Sequence, residues 1–186
     1  MQLQVIKYPD MRNYILLLLV FVSCRRQVNI VPVDPGRTDP TIFADTTYFS
    51  IQRDTALSQK IVAFAKTQMG VTYKFCSMDP NGGFDCSGFV NYVFDHFKIA
   101  VPRSSVEFTN AGTTIELNNC QPGDLILFTG TNPHNRIVGH IGIIVSNDNG
   151  DITFIQSTSG KEYGVTISPL DKYYMGRFVK VIRILA

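Results

Sequence analysis

Tryptophan is absent, no two cysteines stand in a CxxC spacing, and basic residues form no run longer than Arg25-Arg26. Without Trp, aromatic bulk in a core must come from the 13 Phe and 8 Tyr. Cys24, Cys76, Cys86 and Cys120 have no zinc-type spacing and no histidine close by, so no metal or other cofactor is expected. Lys and Arg are scattered and the formal net charge is only +2, which gives no electrostatic footprint for nucleic acid. Charged residues make up 17% against 45% hydrophobic, the reverse of a disordered composition. No internal repeat or low-complexity tract is visible. A chain of 186 residues then fits one domain with a short appendage.

Long apolar runs are also missing, with one informative exception. Ile15-Leu16-Leu17-Leu18-Leu19-Val20-Phe21-Val22 is too short to span a bilayer as a mature helix but has the length of a signal-peptide core. Arg12 supplies a positive flank, and Ser23-Cys24 closes the run. A small residue followed by cysteine resembles a bacterial lipoprotein signal. Residues 1–24 are therefore expected to be a signal peptide ending at a lipidated Cys24. The protein is expected to be exported and held to the cell envelope by lipid. Residues 25–53 carry Pro32, Pro35, Gly36 and Pro40 without a sustained period, as a linker does. Residues 54–186 form the expected domain.

Within that domain helices come first and strands follow. Leu57, Ile61, Phe64, Ala65 and Met69 recur at helical spacing between Asp54 and Gly70. A second helix is expected from Cys86 to Phe97, with Phe89, Val90, Val93, Phe94 and Phe97 on one face and Asp85 as its N-cap. Between the two, residues 71–84 read as a loop. Strands are expected at 124–128, 138–145, 151–157, 164–167 and 177–184, all short and rich in Ile, Val and Phe. This order indicates an α+β fold with N-terminal helices packed on an antiparallel sheet.

Chemistry is carried by three separated motifs: Asp85-Cys86-Ser87-Gly88-Phe89-Val90, Pro122-Gly123-Asp124 and His140-Ile141-Gly142-Ile143. A cysteine in the first turn of a helix has its thiolate favoured by the helix dipole and free N–H groups. A distant histidine brought beside it can take the thiol proton. His140 opens a strand, where Gly142 on the same face is expected to leave open space beside the ring. Among the other histidines, His96 lies far along the second helix and His134 in a polar loop. Pro122-Gly123-Asp124 reads as a turn that starts a strand.

The motif order and its flanking residues resemble the NlpC/P60 family of bacterial cell-wall cysteine peptidases, which have a papain-like fold. The resemblance covers most of the chain from Asp54 onward. It implies Cys86 as nucleophile, His140 as base and Gln156, on the following strand, as the polar group that orients the imidazole. Gln156 can accept a ring N–H but adds no negative charge. A plain two-residue hairpin at Asn149-Gly150 would turn Gln156 away from His140; sharing a face needs an odd loop or a bulge. Tyr73 aligns with a tyrosine at the family's cleft, while Lys74-Phe75-Cys76 replaces the usual aromatic-Gly-Gly. Asp85, Ser87, Arg103 and Ser104 are further substrate-side candidates, with a loop-tying role as the alternative for Arg103. Cys76 and Cys120 remain as a disulfide or as two free thiols.

The resemblance further implies hydrolysis of peptidoglycan stem peptides at the amide between the side-chain carboxyl of D-glutamate and a diamino acid. The expected partners are those peptides and, through the anchor, a membrane; a monomer is expected. Two alternatives stay open. One is a wall-binding lipoprotein with weak turnover, which the neutral Gln156 allows. The other is a different papain-like amidase or acyltransferase.

Overall fold

The computed structural model describes residues 55–132 and 134–185. The expected signal segment, Cys24 and the linker lie outside them. Helix α1 covers residues 55–66, and Ile61, Val62 and Ala65 are its buried positions. Gly70 ends the following turn at φ +84°, a left-handed conformation that glycine adopts without strain. The segment read as a loop contains a short hairpin, strands β1 (Met78–Asp79) and β2 (Gly83–Phe84). Helix α2 (Cys86–His96) then buries Phe89, Val90, Val93 and Phe94. The C-terminal half is a six-stranded antiparallel sheet. In chain order its strands are β3 (Thr113–Ile115), β4 (Leu125–Thr129), β5 (Val138–Asp148), β6 (Asp151–Thr158), β7 (Gly164–Pro169) and β8 (Phe178–Arg183). Across the sheet they lie in the order β3-β8-β4-β5-β6-β7.

The α+β class and the five longer strands follow the sequence reading, with ends moved by a few residues. Strand β3, two single-turn 3₁₀ helices (Glu107–Asn110 and Leu117–Asn119) and helix α3 (Lys172–Arg177) have no counterpart in it. Helix α3 is too short for an apolar period to register; its sign in the sequence is the cap, since the Asp171 carboxylate accepts from the Tyr174 N–H.

The sheet is covered on both faces, and alternation along each strand divides its side chains between them. One core joins Leu125, Leu127, Ile141, Ile143, Ile155 and Ile182 to the apolar faces of α1 and α2. The other joins Ile126, Phe128, Ile144, Phe154 and Val181, with Tyr174 of α3 packed against it. Phe84, Phe89, Phe94, Phe108, Phe128 and Phe154 are fully buried. Each stabilises the fold by roughly 1.5–3 kcal/mol, and together they supply the bulk that tryptophan does not. His96 belongs to this scaffold, its ring stacked on Phe64 at 3.7 Å.

Asp124, from the Pro-Gly-Asp turn, is almost fully buried. Its carboxylate meets the Arg183 guanidinium through two hydrogen bonds of 2.8 Å and accepts from the Gln121 N–H. This pairing ties the start of β4 to the end of β8. Asp124→Ala should therefore lower stability by about 3 kcal/mol, the cost of breaking a largely buried pair. Denaturant unfolding measures it; an unchanged midpoint would mean that the turn holds without the pair.

Candidate functional site

The β1–β2 hairpin delivers the chain to Asp85, whose N–H donates to Ser77 O at 2.9 Å. Asp85 adopts extended geometry (φ −80°, ψ 176°), and its Oδ1 accepts from Gly88 N at 2.6 Å, closing the N-cap of α2. Cys86 is thus the first helical residue, as the sequence indicates. Gly88 is required by packing: a Cβ there would lie 2.1 Å from Ser77 O. Arg103 grips the same cap, with Nη2 donating to Asp85 Oδ2 at 2.7 Å and Nη1 to both Asp85 Oδ1 and Ser87 Oγ at 3.1 Å. Asp85, Ser87 and Arg103 therefore come together as a unit that holds the helix start. Ser104 turns elsewhere: its N–H and hydroxyl both donate to Glu107 Oε2, at 3.0 and 2.8 Å.

The thiol does not behave as helix position alone suggests. Burial, and secondarily the Asp85 carboxylate, push the Cys86 thiol above its ordinary value. The N–H groups of Ser87, Cys86 and Ile141 act in the opposite direction but are outweighed. Cys86 packs on the core that contains Ile141, the residue next to His140.

His140 and Gln156 meet because of a bulge. Strands β5 and β6 turn through Asn149 (φ +55°) and Gly150 (φ +101°), the plain two-residue hairpin, with Asp148 opposite Asp151. Left uninterrupted, that register would put the two side chains on opposite faces. Between Ile144 and Ser146 the register shifts by one residue, so that Ile144 faces Phe154 while Ser146 faces Thr153. Val145 is the extra residue. Gln156 Oε1 consequently lies 2.5 Å from His140 Nε2. Gly142 does not open space beside the ring as expected: a Cβ there would meet Phe154 Cδ2 at 2.6 Å, so the glycine exists to admit that phenylalanine.

With Nε2 bonded to a carbonyl oxygen, the imidazole carries its proton on Nε2 and leaves Nδ1 as the acceptor. Burial lowers its pKa from the ordinary 6.5 to about 4. The Gln156 hydrogen bond opposes that shift, and the positive charge of Arg177 reinforces it. The residue as a whole is only half-buried, and this contact with solvent limits the displacement. Both shifts favour the uncharged forms of the Cys86 thiol and the His140 imidazole. Linkage gives the sign for stability. Below pH 6.5 the unfolded chain takes up this proton first. The contribution of neutral His140 is therefore complete above pH 6.5 and is lost as pH falls towards 4.

Three residues absent from the sequence reading complete this corner. Gln156 Nε2 donates to Ser168 Oγ at 2.8 Å and to Tyr174 OH at 2.5 Å. Arg177 holds α3 against the end of β4 by donating to Thr129 O at 2.9 Å and Gly130 O at 3.0 Å. Sequence offers no motif for these; they become visible only when β7 and α3 are placed. Tyr73 stands near the thiol, its hydroxyl pKa raised first by burial and then by Cys86 and Asp85, with its ring edge-on to Tyr163 at 5.8 Å. Cys76, Cys86 and Cys120 are all free thiols, so the disulfide alternative for Cys76 and Cys120 falls. Among the described residues no cluster of His, Cys, Asp and Glu is placed to hold a metal. A cavity of about 700 Å³ lined by Ser58, Gln59, Pro122 and Leu185, among others, contains neither a cysteine nor a histidine and lies apart from this cluster.

Gln156→Glu should raise the His140 pKa above about 4, because a carboxylate on Nε2 stabilises the imidazolium where the amide does not. An NMR titration of the ring reads this directly; an unchanged or lower value would show that Gln156 does not control the imidazole.

Comparison with known proteins matches residues 70–183 to the NlpC/P60 family model. The chain is 31% identical over 129 residues to the gamma-DL-glutamyl hydrolase of Bacillus subtilis, covering 69% of this chain and 30% of that protein. It is 41% identical over 106 residues to a probable endopeptidase of Haemophilus influenzae, covering 55% and 60%. The fold is similar to the crystal structure of an NlpC/P60 family protein from Bacillus cereus, with a TM-score of 0.62 and 25% identity over 69% of this chain and 40% of that one. The chain thus spans less than two thirds of the length of each of these relatives. The family match covers well over half of the chain and falls on the segment that holds Cys86, His140 and Gln156: the protein belongs to the NlpC/P60 family.

Proposed function

We propose that the protein is a peptidoglycan hydrolase that cleaves stem-peptide amide bonds with Cys86 as nucleophile and His140 as base. The observation that carries this reading is convergence on one strand. Cys86, the first residue of α2, packs on the core that contains Ile141, while the neighbouring His140 is held through Nε2 by Gln156, leaving Nδ1 to accept a proton. Because both groups rest neutral, the proton moves from sulfur to Nδ1 as the substrate carbonyl is attacked. The thiolate–imidazolium pair then exists only along the reaction path. Imidazolium returns the proton to the leaving amine, and water attacks the acyl-enzyme. In this reading the Cys86 N–H at the start of α2 donates to the developing oxyanion. No cofactor is required.

The bond proposed is the one between the D-glutamate side-chain carboxyl and a diamino acid. The relative named as a gamma-DL-glutamyl hydrolase supports this, as does the chemistry of a peptidase family. Tyr73 is proposed to contact the substrate beside the thiol, whereas Asp85, Ser87 and Arg103 serve as the helix-start scaffold. Residues 1–24 and 25–53 are proposed as lipoprotein signal and tether, placing a monomeric domain (54–186) outside the cytoplasmic membrane. The neutral thiol and the neutral Gln156 favour one second reading, a wall-binding lipoprotein with weak turnover.

Digestion of purified peptidoglycan followed by mass analysis of released peptides separates the two. The wild type should release fragments cut at the glutamyl–diamino acid bond, and Cys86→Ala should release none while keeping its unfolding midpoint within a few degrees. Equal release by the alanine variant would sink the cysteine mechanism. Absence of release by both would favour the binding protein.

The anchor is tested separately. Mass spectrometry of membrane-extracted protein should find acyl chains on Cys24 as the first residue. A mature chain that begins elsewhere with Cys24 unmodified would refute the lipid attachment.

A further inference from the structure

Gln156 is fully buried, and both N–H groups and the oxygen of its side chain are paired. Its two N–H groups go to Ser168 Oγ on β7, at 2.8 Å, and to Tyr174 OH on α3, at 2.5 Å. Its oxygen faces His140 Nε2 at 2.5 Å. An amide is nearly symmetric in shape, so packing alone cannot tell this orientation from one rotated by 180°. Hydrogen-bond accounting can. In the rotated state the oxygen would accept from both hydroxyls. Only one of the two N–H groups would then find an acceptor, the ring nitrogen, and the other would be buried without a partner. The rotated amide would also force the imidazole proton onto Nδ1, which could then no longer accept a proton from the thiol.

We propose that Ser168 and Tyr174 are positioning residues: together they accept both amide N–H groups of Gln156, turn its oxygen to His140, and thereby keep the imidazole in the one tautomer able to act as base. The clamp is itself rigid. The Tyr174 ring packs edge-on against Phe154 at 4.9 Å and near Phe128 at 5.2 Å. Its backbone N–H is capped by Asp171 at 3.0 Å, and Arg177 pins the same helix to Thr129 O and Gly130 O. The Ser168 hydroxyl is fixed by the pairing of β6 with β7, where Ser168 lies opposite Phe154 and on the same face as Gln156. Removing either hydroxyl leaves one N–H unpaired in the present orientation as well. The two orientations then become close in energy, and the imidazole divides between its tautomers.

This inference rests on His140 acting as base, but its main test needs no substrate. In ¹⁵N-labelled wild type at pH 7, long-range proton–nitrogen spectra of the imidazole should give the Nε2–H tautomer of His140 alone. Tyr174→Phe and Ser168→Ala should each bring in the Nδ1–H tautomer as roughly a third to a half of the population, since each leaves the two amide orientations equally short of one bond. The rate of Cys86 alkylation by iodoacetamide, read by mass analysis of its peptide, should fall about twofold in parallel with the lost fraction of competent imidazole. In a Gln156→His background, which has no amide to orient, Tyr174→Phe should leave the alkylation rate unchanged. Should one variant fail to fold, the other carries the test. A pure Nε2–H tautomer in both folded variants would overturn the clamp, as would an equal effect of Tyr174→Phe with and without Gln156. If the tautomer shifts as expected but the wild type cuts no peptidoglycan, the peptidase reading fails and the clamp stands.

Discussion

The Asp85 carboxylate is the contact on which the place of Cys86 depends. One oxygen closes the N-cap of α2 through Gly88, and both are held by Arg103, which is tied in turn to Ser87. A cap of this kind stabilises a helix by about 1 kcal/mol, but here it also sets where the first helical side chain points. The same charge stands beside the thiol and disfavours the thiolate. Geometry and electrostatics thus pull in opposite directions at Cys86: burial raises the thiol pKa first, and the group that places the sulfur adds to it. The dipole and N–H groups of the helix start act on the thiolate, yet they work against burial and a full negative charge on the preceding residue.

A similar opposition governs the imidazole. Gln156 supports the protonated ring only as a neutral acceptor, and burial with Arg177 overrides it. A carboxylate in that position would bind a resting imidazolium. The amide orients without charging. Both partners of the proposed proton transfer are consequently uncharged before substrate arrives, and their separation into ions has to be stabilised by what the substrate and the backbone N–H groups contribute.

Much of this was legible in the sequence where a signal is local. Asp85 followed by an amphipathic run gives the cap and the helix, and Phe89, Val93 and Phe94 are buried as their spacing indicates. The short Ile- and Val-rich runs give the strands. What the sequence does not carry is anything decided by two segments meeting. The bulge at Val145 has no residue signature, since valine is at home in a regular strand. Helix α3 spans too few residues for a period, so Tyr174 and its bond to Gln156 could not be anticipated. Gly142 was read as open space because glycine lacks a side chain; Phe154 from the next strand occupies that space. The thiol's raised pKa depends on enclosure by elements far apart in sequence, which a cap motif cannot convey.

The hairpin joining β5 to β6 carries a further consequence. Between the bulge at Val145 and the turn at Asn149-Gly150, side chains alternate strictly, and the single extra residue has already fixed parity for everything nearer the site. Lengthening or shortening this hairpin is therefore quantised. Residues inserted in matched pairs, one on each arm, extend the ribbon outward and leave Gln156 facing His140. A single residue gained or lost on one arm, with turn and bulge kept, sends Gln156 to the opposite side of the sheet; Gln156 keeps facing His140 only where a bulge is gained or lost to absorb the change. Matched pairs leave the site untouched, and single residues do so only together with a bulge gained or lost.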